Sequence, residues 1–283
     1  MKFSTSINLI AMFAIARDIG LAALLLLFFS TVYAQDKAPW RNKKCAVALT
    51  YDDALNVHLD KVIPVLDSLG FKGTFYLAGY FPGFGSRMND WKAIAKKGHE
   101  LGNHSLFHPC NGTVPGRDWV MPDYDLSKYT VRRVVDEIRM NNLLLEALDD
   151  KTARTFAYPC GEMNASDGSY VDSIKGDFAG ARGVGMALKK INEIDLFNIN
   201  CFMANGQSGN ELIALVKQAI AENALLVFLF HGVGGEHNIN EPLADHNKLL
   251  SFLKQNEKDI WVAPLVEIAE YVRDKNKSVK AKN

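Results

Sequence analysis

The chain has 283 residues, 48% of them hydrophobic, with 32 Lys and Arg against 32 Asp and Glu. That length and apolar content support one large domain, or at most two small ones. The balanced charge offers no basic field for a nucleic acid, and the chain carries no low-complexity tract or long repeat of the kind found in disordered or solenoid proteins.

The N-terminus reads as an export signal. An apolar run, Leu21 to Ser30, follows Lys2, Arg17 and Asp18 and precedes Val32-Tyr33-Ala34 and the polar Gln35-Asp36-Lys37. A charged start, a short apolar stretch and a small final residue suit a secretory signal over residues 1–34, cut after Ala34, with 35–42 as a short linker. The segment before Arg17 is long for such a signal, which makes Met12 an alternative start. The competing reading is an uncleaved membrane anchor, but the run falls short of the ~20 residues that span a bilayer. The expected location is therefore periplasmic or extracellular. In an oxidising compartment the four cysteines, Cys45, Cys110, Cys160 and Cys201, matter. None forms a CxxC pair, which argues against a cysteine zinc site, and connectivity cannot be read from spacing. Cys110 and Cys160 flank suspected site residues and are the first pair to test.

From residue 43 onward, short apolar runs alternate with amphipathic stretches. Cys45–Tyr51, Gly73–Gly79 and Glu100–His104 are predicted strands, followed by Thr155–Tyr158, Phe178–Val184, Phe197–Phe202, Leu225–His231 and Ile260–Val262. Between them, 57–69, 126–148, 211–221, 243–254 and 265–272 keep helical spacing of apolar residues. Alternation of this kind predicts an α/β fold with a parallel sheet, closed or open, and roughly seven or eight repeats fit a (β/α) barrel. Reactive residues in such barrels gather at the C-terminal ends of strands. Asp52 and Asp53 follow the first run, His104 ends the third and His231 ends the Leu225 run. Two loops, 109–125 after His108 and 232–241 after His231, should overhang the same rim. The segment 273–283 is basic and polar and reads as a flexible tail.

Adjacent acids after a buried strand point in different directions, so one can bind a metal while the other acts as a base. Alone, the pair would read more readily as a cap of the following helix. His104-Ser-Leu-Phe-His108 places two imidazoles at i and i+4, on one face of a helical turn that Pro109 would end. One carboxylate and two imidazoles with an open fourth position are what a catalytic metal needs.

These stretches resemble the polysaccharide deacetylases of carbohydrate esterase family four. The likeness rests on Leu49-Thr-Tyr-Asp-Asp-Ala54, Gly98-His-Glu-Leu-Gly-Asn-His-Ser-Leu-Phe-His108, Phe156-Ala-Tyr-Pro-Cys-Gly161 and Leu229-Phe-His231, in the family's order. It covers about residues 43–272, the expected catalytic domain. The resemblance implies a distorted (β/α) barrel with one divalent metal held by Asp53, His104 and His108, a water made nucleophilic by that metal, Asp52 as base and His231 as acid. It also implies that the backbone N–H of Cys160 faces the developing oxyanion. Zinc suits the ligand set first; cobalt, nickel and iron also suit it.

Three departures from the family pattern stand out. Ala54 replaces a glycine, Ala157 replaces the arginine that usually pairs with the base, and the acid partner of the catalytic histidine has no clear match. On a strand, Arg154 would sit about 10 Å from position 157 and on the other face. Arg182 is the candidate substitute for orienting Asp52, and Asp195 the positional candidate for the partner of His231. Trp119, in the loop after His108, is the candidate for stacking on a sugar ring, whereas Trp91 reads as core. His58 and His99 read as packing residues, and His237 and His246, in or beyond the last rim loop, are given no role, since histidines there do not usually touch the sugar. The expected partner is an acetylated polysaccharide or oligosaccharide: hemicellulose, chitin-like oligomers or peptidoglycan. The alternatives are a non-catalytic glycan binder on the same scaffold and a small-molecule amidohydrolase.

Overall fold

The computed structural model describes residues 39–280. The expected signal 1–34, the alternative start at Met12 and the first half of the 35–42 linker lie outside the described residues, as do residues 281–283.

Strand β1, Cys45–Asp52, is buried along its whole length, as a central parallel strand apolar on both faces should be. A π-helical turn at His58–Val62 runs into α1, Ile63–Leu69, which stops at Gly70 with φ 74°. Then come β2, Thr74–Leu77; α2, Pro82–Gly85; α3, Met88–Lys96; and β3, Glu100–Asn103. After the 109–125 loop, α4 spans Val131–Asp149; the Thr130 side chain accepts from Arg133 N at its start. Next are β4, Thr155–Ala157, a small hairpin of β5, Asn164–Ala165, and β6, Gly168–Ser169, then α5, Val171–Ile174, and β7, Gly180–Arg182. The remaining elements are β8, Lys189–Lys190; β9, Phe202–Met203; α6, Gly209–Glu222; β10, Ala224–Phe230; β11, Gly232–Val233; and β12, Asn240–Glu241. Helix α7, Leu243–Gln255, strand β13, Ile260–Val262, and helix α8, Leu265–Lys280, finish the chain.

The main sheet runs β7-β4-β3-β2-β1-β10-β8, parallel except for β8, with β13 also on β1 and β9 on β10. It curls into a distorted (β/α) barrel, as expected. Among the described residues the side between β7 and β10 is closed by a bridge from Arg182 to Ile199 and by β9 rather than by a continuous strand. The strand expected over Phe197–Phe202 is therefore mostly irregular: Ile199 N–H donates to Ala181 O, and Cys201 N–H donates to Gly185 O. The tail expected to be flexible from residue 273 is instead helical through Lys280. Good helix formers continue α8 there, and Arg273 pairs with Glu270. Among the described residues no helix is long and apolar enough to cross a membrane.

Alternation along the strands sorts side chains between two faces. Val47, Leu49 and Tyr51 of β1 join Leu66, Phe75, Trp91 and Phe228 in the outer core beneath α1, α3, α6 and α7. Ala46 and Ala48 join Tyr76, Ala157, Leu225, Val227 and Leu229 inside the barrel. The base of that interior is tied by Glu100. Its carboxylate accepts from Thr74 Oγ1 (2.7 Å), Thr155 N (2.6 Å) and Val266 N (2.9 Å), joining β2, β4 and the start of α8. A buried charge satisfied in this way is stable without a salt bridge.

Candidate active site

The inward-facing rows lead to the site. Asp52 continues the row of Ala46, Ala48 and Thr50. His231 continues that of Leu225, Val227 and Leu229, and His104 continues that of Glu100 and Gly102. Gly102 is required in its row, because a Cβ there would stand 2.5 Å from the Tyr76 ring. The barrel interior thus ends, at the C-terminal rim, in a cluster of charged and imidazole side chains.

The backbone turns sharply after β1. Asp53 has φ 75° and Ala54 φ 52°, so the position where the family has glycine does adopt the left-handed region. Alanine there costs roughly 1–2 kcal/mol of strain. The turn aims Asp53 away from Asp52. Asp53 Oδ1 stands 3.7 Å from His104 Nε2 and 3.6 Å from His108 Nε2, and the three candidate ligand atoms lie within 4.8 Å of one another.

The two histidines do not share a helical turn. The segment between them is irregular, with Ser105 at φ 61° and His108 at φ 53°. Side-chain bonds shape it: Ser105 N–H donates to Asn103 Oδ1 (2.7 Å), and His108 N–H to Ser105 Oγ (2.9 Å). Asn141 of α4 donates to both Leu77 O and Asn103 Oδ1, fixing the loop against the helix. The imidazoles still meet, with centroids 4.6 Å apart. His104 Nδ1–H donates to Ala157 O at 2.8 Å, and His108 Nδ1–H faces Cys110 Sγ at 3.6 Å. Both contacts leave Nε2 as the free lone pair. Burial pushes each of these histidines down to about 4, so both are neutral near pH 7, as a metal ligand must be. Asp53 Oδ1 is buried with no hydrogen-bond partner among the described residues. A borderline divalent cation fits this donor set.

Asp52 is held differently. Arg182 Nη2 donates to its Oδ2 at 2.5 Å, and the same guanidinium donates to Gly183 O and lies over the Tyr76 ring. Burial would raise the Asp52 carboxyl, but the Arg182 charge, with His104 and His231, holds it below the ordinary value. Its Oδ1 is buried and unpartnered among the described residues. Arg154 is remote: it pairs with Asp149 at 3.1 Å and donates to Leu101 O at the opposite face.

His231 Nε2 approaches Asp53 Oδ2 at 3.9 Å, and its Nδ1 has no partner among the described residues. Asp195, expected to fill that place, does not. It is exposed and accepts from Phe197 N, capping a turn at the open side of the barrel. Position in sequence was a poor guide there because the chain between β7 and β9 is irregular.

Cys160 bonds to Cys110, tying the β4 loop to the segment after His108. It has φ 55° and lines the site cavity, as does the following glycine. Cys45 and Cys201 are buried thiols. The cavity, about 700 Å³, is walled by Leu55, Phe81, Tyr158, Val184, Met203 and Leu229 above the charged floor. Trp119 is 61% exposed at its rim, and Trp91 is core. The site residue missed in the sequence is His237, which stacks on His231. A histidine six places after a strand end carries no spacing signal, and only the folding-back of the 232–241 loop brings it in.

Residues 41–173 match the family model described as polysaccharide deacetylase. That span includes Asp52, Asp53, His104, His108 and Cys160 and ends before Arg182 and His231. Over 108 residues the chain is 32% identical to the uncharacterized protein YlxY of Bacillus subtilis (strain 168), covering 38% of this chain and only 28% of YlxY. Among solved structures, a Mycobacterium smegmatis protein assigned to the polysaccharide deacetylases superposes with a TM-score of 0.57 at 16% identity, over 87% of this chain and 94% of that one. The Xyl-CE4 domain of a multidomain xylanase from the hindgut metagenome of Trinervitermes trinervoides superposes at 0.50 and 16% identity, over 82% and 91%. At these identities the superpositions establish the fold.

Proposed function

We propose that the chain is a polysaccharide deacetylase, the family whose model matches residues 41–173, and that it hydrolyses N- or O-linked acetyl groups of a carbohydrate with Asp52 as base and His231 as acid. The observation that carries this reading is the division between the two aspartates. Asp53 faces two neutral imidazoles, while Asp52, one residue away, is paired with Arg182 and keeps a free oxygen.

A divalent cation, zinc first, would be held by Asp53, His104 and His108 and would supply Lewis-acid polarisation of the acetyl carbonyl and a more acidic water. Asp52, kept ionised by Arg182, takes the proton of the attacking water at its free Oδ1. The backbone N–H of Cys160, on a left-handed turn fixed by the disulfide, faces the oxygen that becomes negative. His231 gives its proton to the departing nitrogen or oxygen. Trp119, exposed at the rim, offers a face to a sugar ring.

The expected substrate is an acetylated polysaccharide or oligosaccharide outside the cytoplasm. The Cys110–Cys160 disulfide supports export. Loops on both sides, carrying Trp119 and His237–Ile239, flank a largely apolar cavity, which favours a short glycan or small acetylated compound over a long flat polymer. A non-catalytic binder would have no use for the Arg182–Asp52 pair. The test is acetate release from acetylated xylan, chitooligosaccharide and peptidoglycan, with and without chelator, comparing wild type with Asp52→Asn. The reading fails if no substrate gives chelator-sensitive release, and the mechanism fails if Asp52→Asn retains it.

A further inference from the structure

His237 has no part in the reaction scheme above, yet it stands inside the site. Its ring lies parallel to that of His231, with centroids 4.8 Å apart and planes 17° apart. Its Nε2 is 3.9 Å from Asp53 Oδ2, the oxygen that also faces His231, whereas His104 and His108 face Oδ1. Ile239 N–H donates to His237 Nδ1 at 3.0 Å. The same Nδ1 lies 3.2 Å from Ile239 O, so the Ile239 backbone holds the ring in either tautomer. His237 is not one of the three residues whose ligand atoms cluster within 4.8 Å, which are Asp53, His104 and His108.

Its loop is anchored to the segment that follows Asp53. The Glu236 carboxylate accepts from Asn56 Nδ2 and Val57 N, each at 2.6 Å. Lys61 Nζ donates to Gly234 O at 2.5 Å, and Gly235 N–H donates to Asn240 Oδ1 at 2.7 Å. The loop closes on itself at Gly232, where a Cβ would stand 2.4 Å from Gly235 O and 3.2 Å from His237 Cβ. His231 needs an anchor of this kind. His58 Nε2–H holds its backbone oxygen at 2.8 Å, but its side-chain Nδ1 has no partner among the described residues, and Asp195 is elsewhere. The terminal torsion of an imidazole is soft, so a ring with no bond at Nδ1 turns unless something packs on its face.

We infer that His237 is a positioning residue: its ring, packed face to face on His231, holds Nε2 of that residue toward the departing atom of the substrate, in place of the usual acid partner. The inference rests on the deacetylase reading, and its test separates the two. Zinc-loaded wild type, His237→Ala and His237→Phe are compared on an acetylated oligosaccharide, whose leaving group needs a proton, and on 4-nitrophenyl acetate, whose phenolate does not. His237→Ala should lose roughly 10- to 100-fold in kcat on the oligosaccharide and less than about threefold on the aryl ester, with His237→Phe recovering most of the loss. An equal loss on both substrates, or no recovery with phenylalanine, overturns the inference. Crystal structures of the same three proteins read the His231 ring directly. It should keep one orientation in wild type and His237→Phe and turn in His237→Ala; an unmoved ring in the alanine variant overturns the inference. If wild type releases acetate from nothing, the function fails, and the ring orientation still decides the role of His237.

Discussion

Asp52 and Asp53 are neighbours in sequence and opposites in surroundings. One ends an inward-facing row and meets a guanidinium; the other sits at φ 75° and meets two imidazoles. The consequence can be tested on Arg182. Arg182→Met should lower kcat by roughly 10²–10³-fold, because a buried carboxylate without its cation favours the protonated form. The sign follows from the shift: Arg182 lowers the Asp52 carboxyl, so its removal raises it, and the acidic limb of the rate–pH profile should move to higher pH. Arg182→Lys should rescue poorly, since a single ammonium cannot donate to Asp52 and Gly183 O while lying over Tyr76. Retained zinc affinity in both variants would distinguish loss of the base from loss of the metal.

At the scale of elements, two loops carry the rim, and each has its own tie. The 109–125 loop depends on the Cys110–Cys160 bridge, which closes 50 residues of sequence separation. Replacing both cysteines by alanine should destabilise the chain by about 2–4 kcal/mol in a denaturant titration and raise KM as Trp119 and the Cys160 turn loosen. The 232–241 loop ends in Glu241, fully buried, with Oε2 accepting from Gly206 N and Oε1 unpartnered among the described residues. Burial raises this carboxyl to about 7. A carboxyl raised on folding binds more protons in the folded than in the unfolded state between the two values, so stability falls as pH rises through that window. Glu241→Gln keeps an acceptor for Gly206 and cannot ionise. Its melting temperature should match wild type near pH 5 and exceed it near pH 8; equal melting temperatures at both pH values would contradict this account.

At the scale of the whole molecule, the site is the upper end of the barrel interior, and its candidate ligands follow two separate strands, Asp53 after β1 and His104 and His108 after β3. A cation that binds them binds only the folded chain. Zinc at 100 times its Kd should therefore stabilise wild type by about 2.7 kcal/mol, read as a rise in melting temperature, and His104→Ala or Asp53→Ala should abolish that rise. Asp52→Asn should preserve it, because Asp52 is held by Arg182 outside the ligand set. The measurement needs no substrate and is independent of which glycan the chain serves.

The sequence alone determined the parallel alternation of strands and helices, the strand ends that carry Asp52, Asp53, His104 and His231, and the glycine-type turn now filled by Ala54. These are local properties: hydrophobic period, turn chemistry and a short motif each occupy contiguous residues. Tertiary structure decided everything that depends on two distant segments meeting. Arg182 and Asp52 are 130 residues apart, and their contact follows from the inward parity of β1 and β7. His104 and His108 converge without the helical turn that their spacing suggested, because Asn103, Ser105 and Asn141 reshape the loop by side-chain hydrogen bonds. Asp195 fell away from His231 and His237 came to it for one reason. The chain between strands has no period to read, so where a loop residue points is set by which backbone groups it finds to bond.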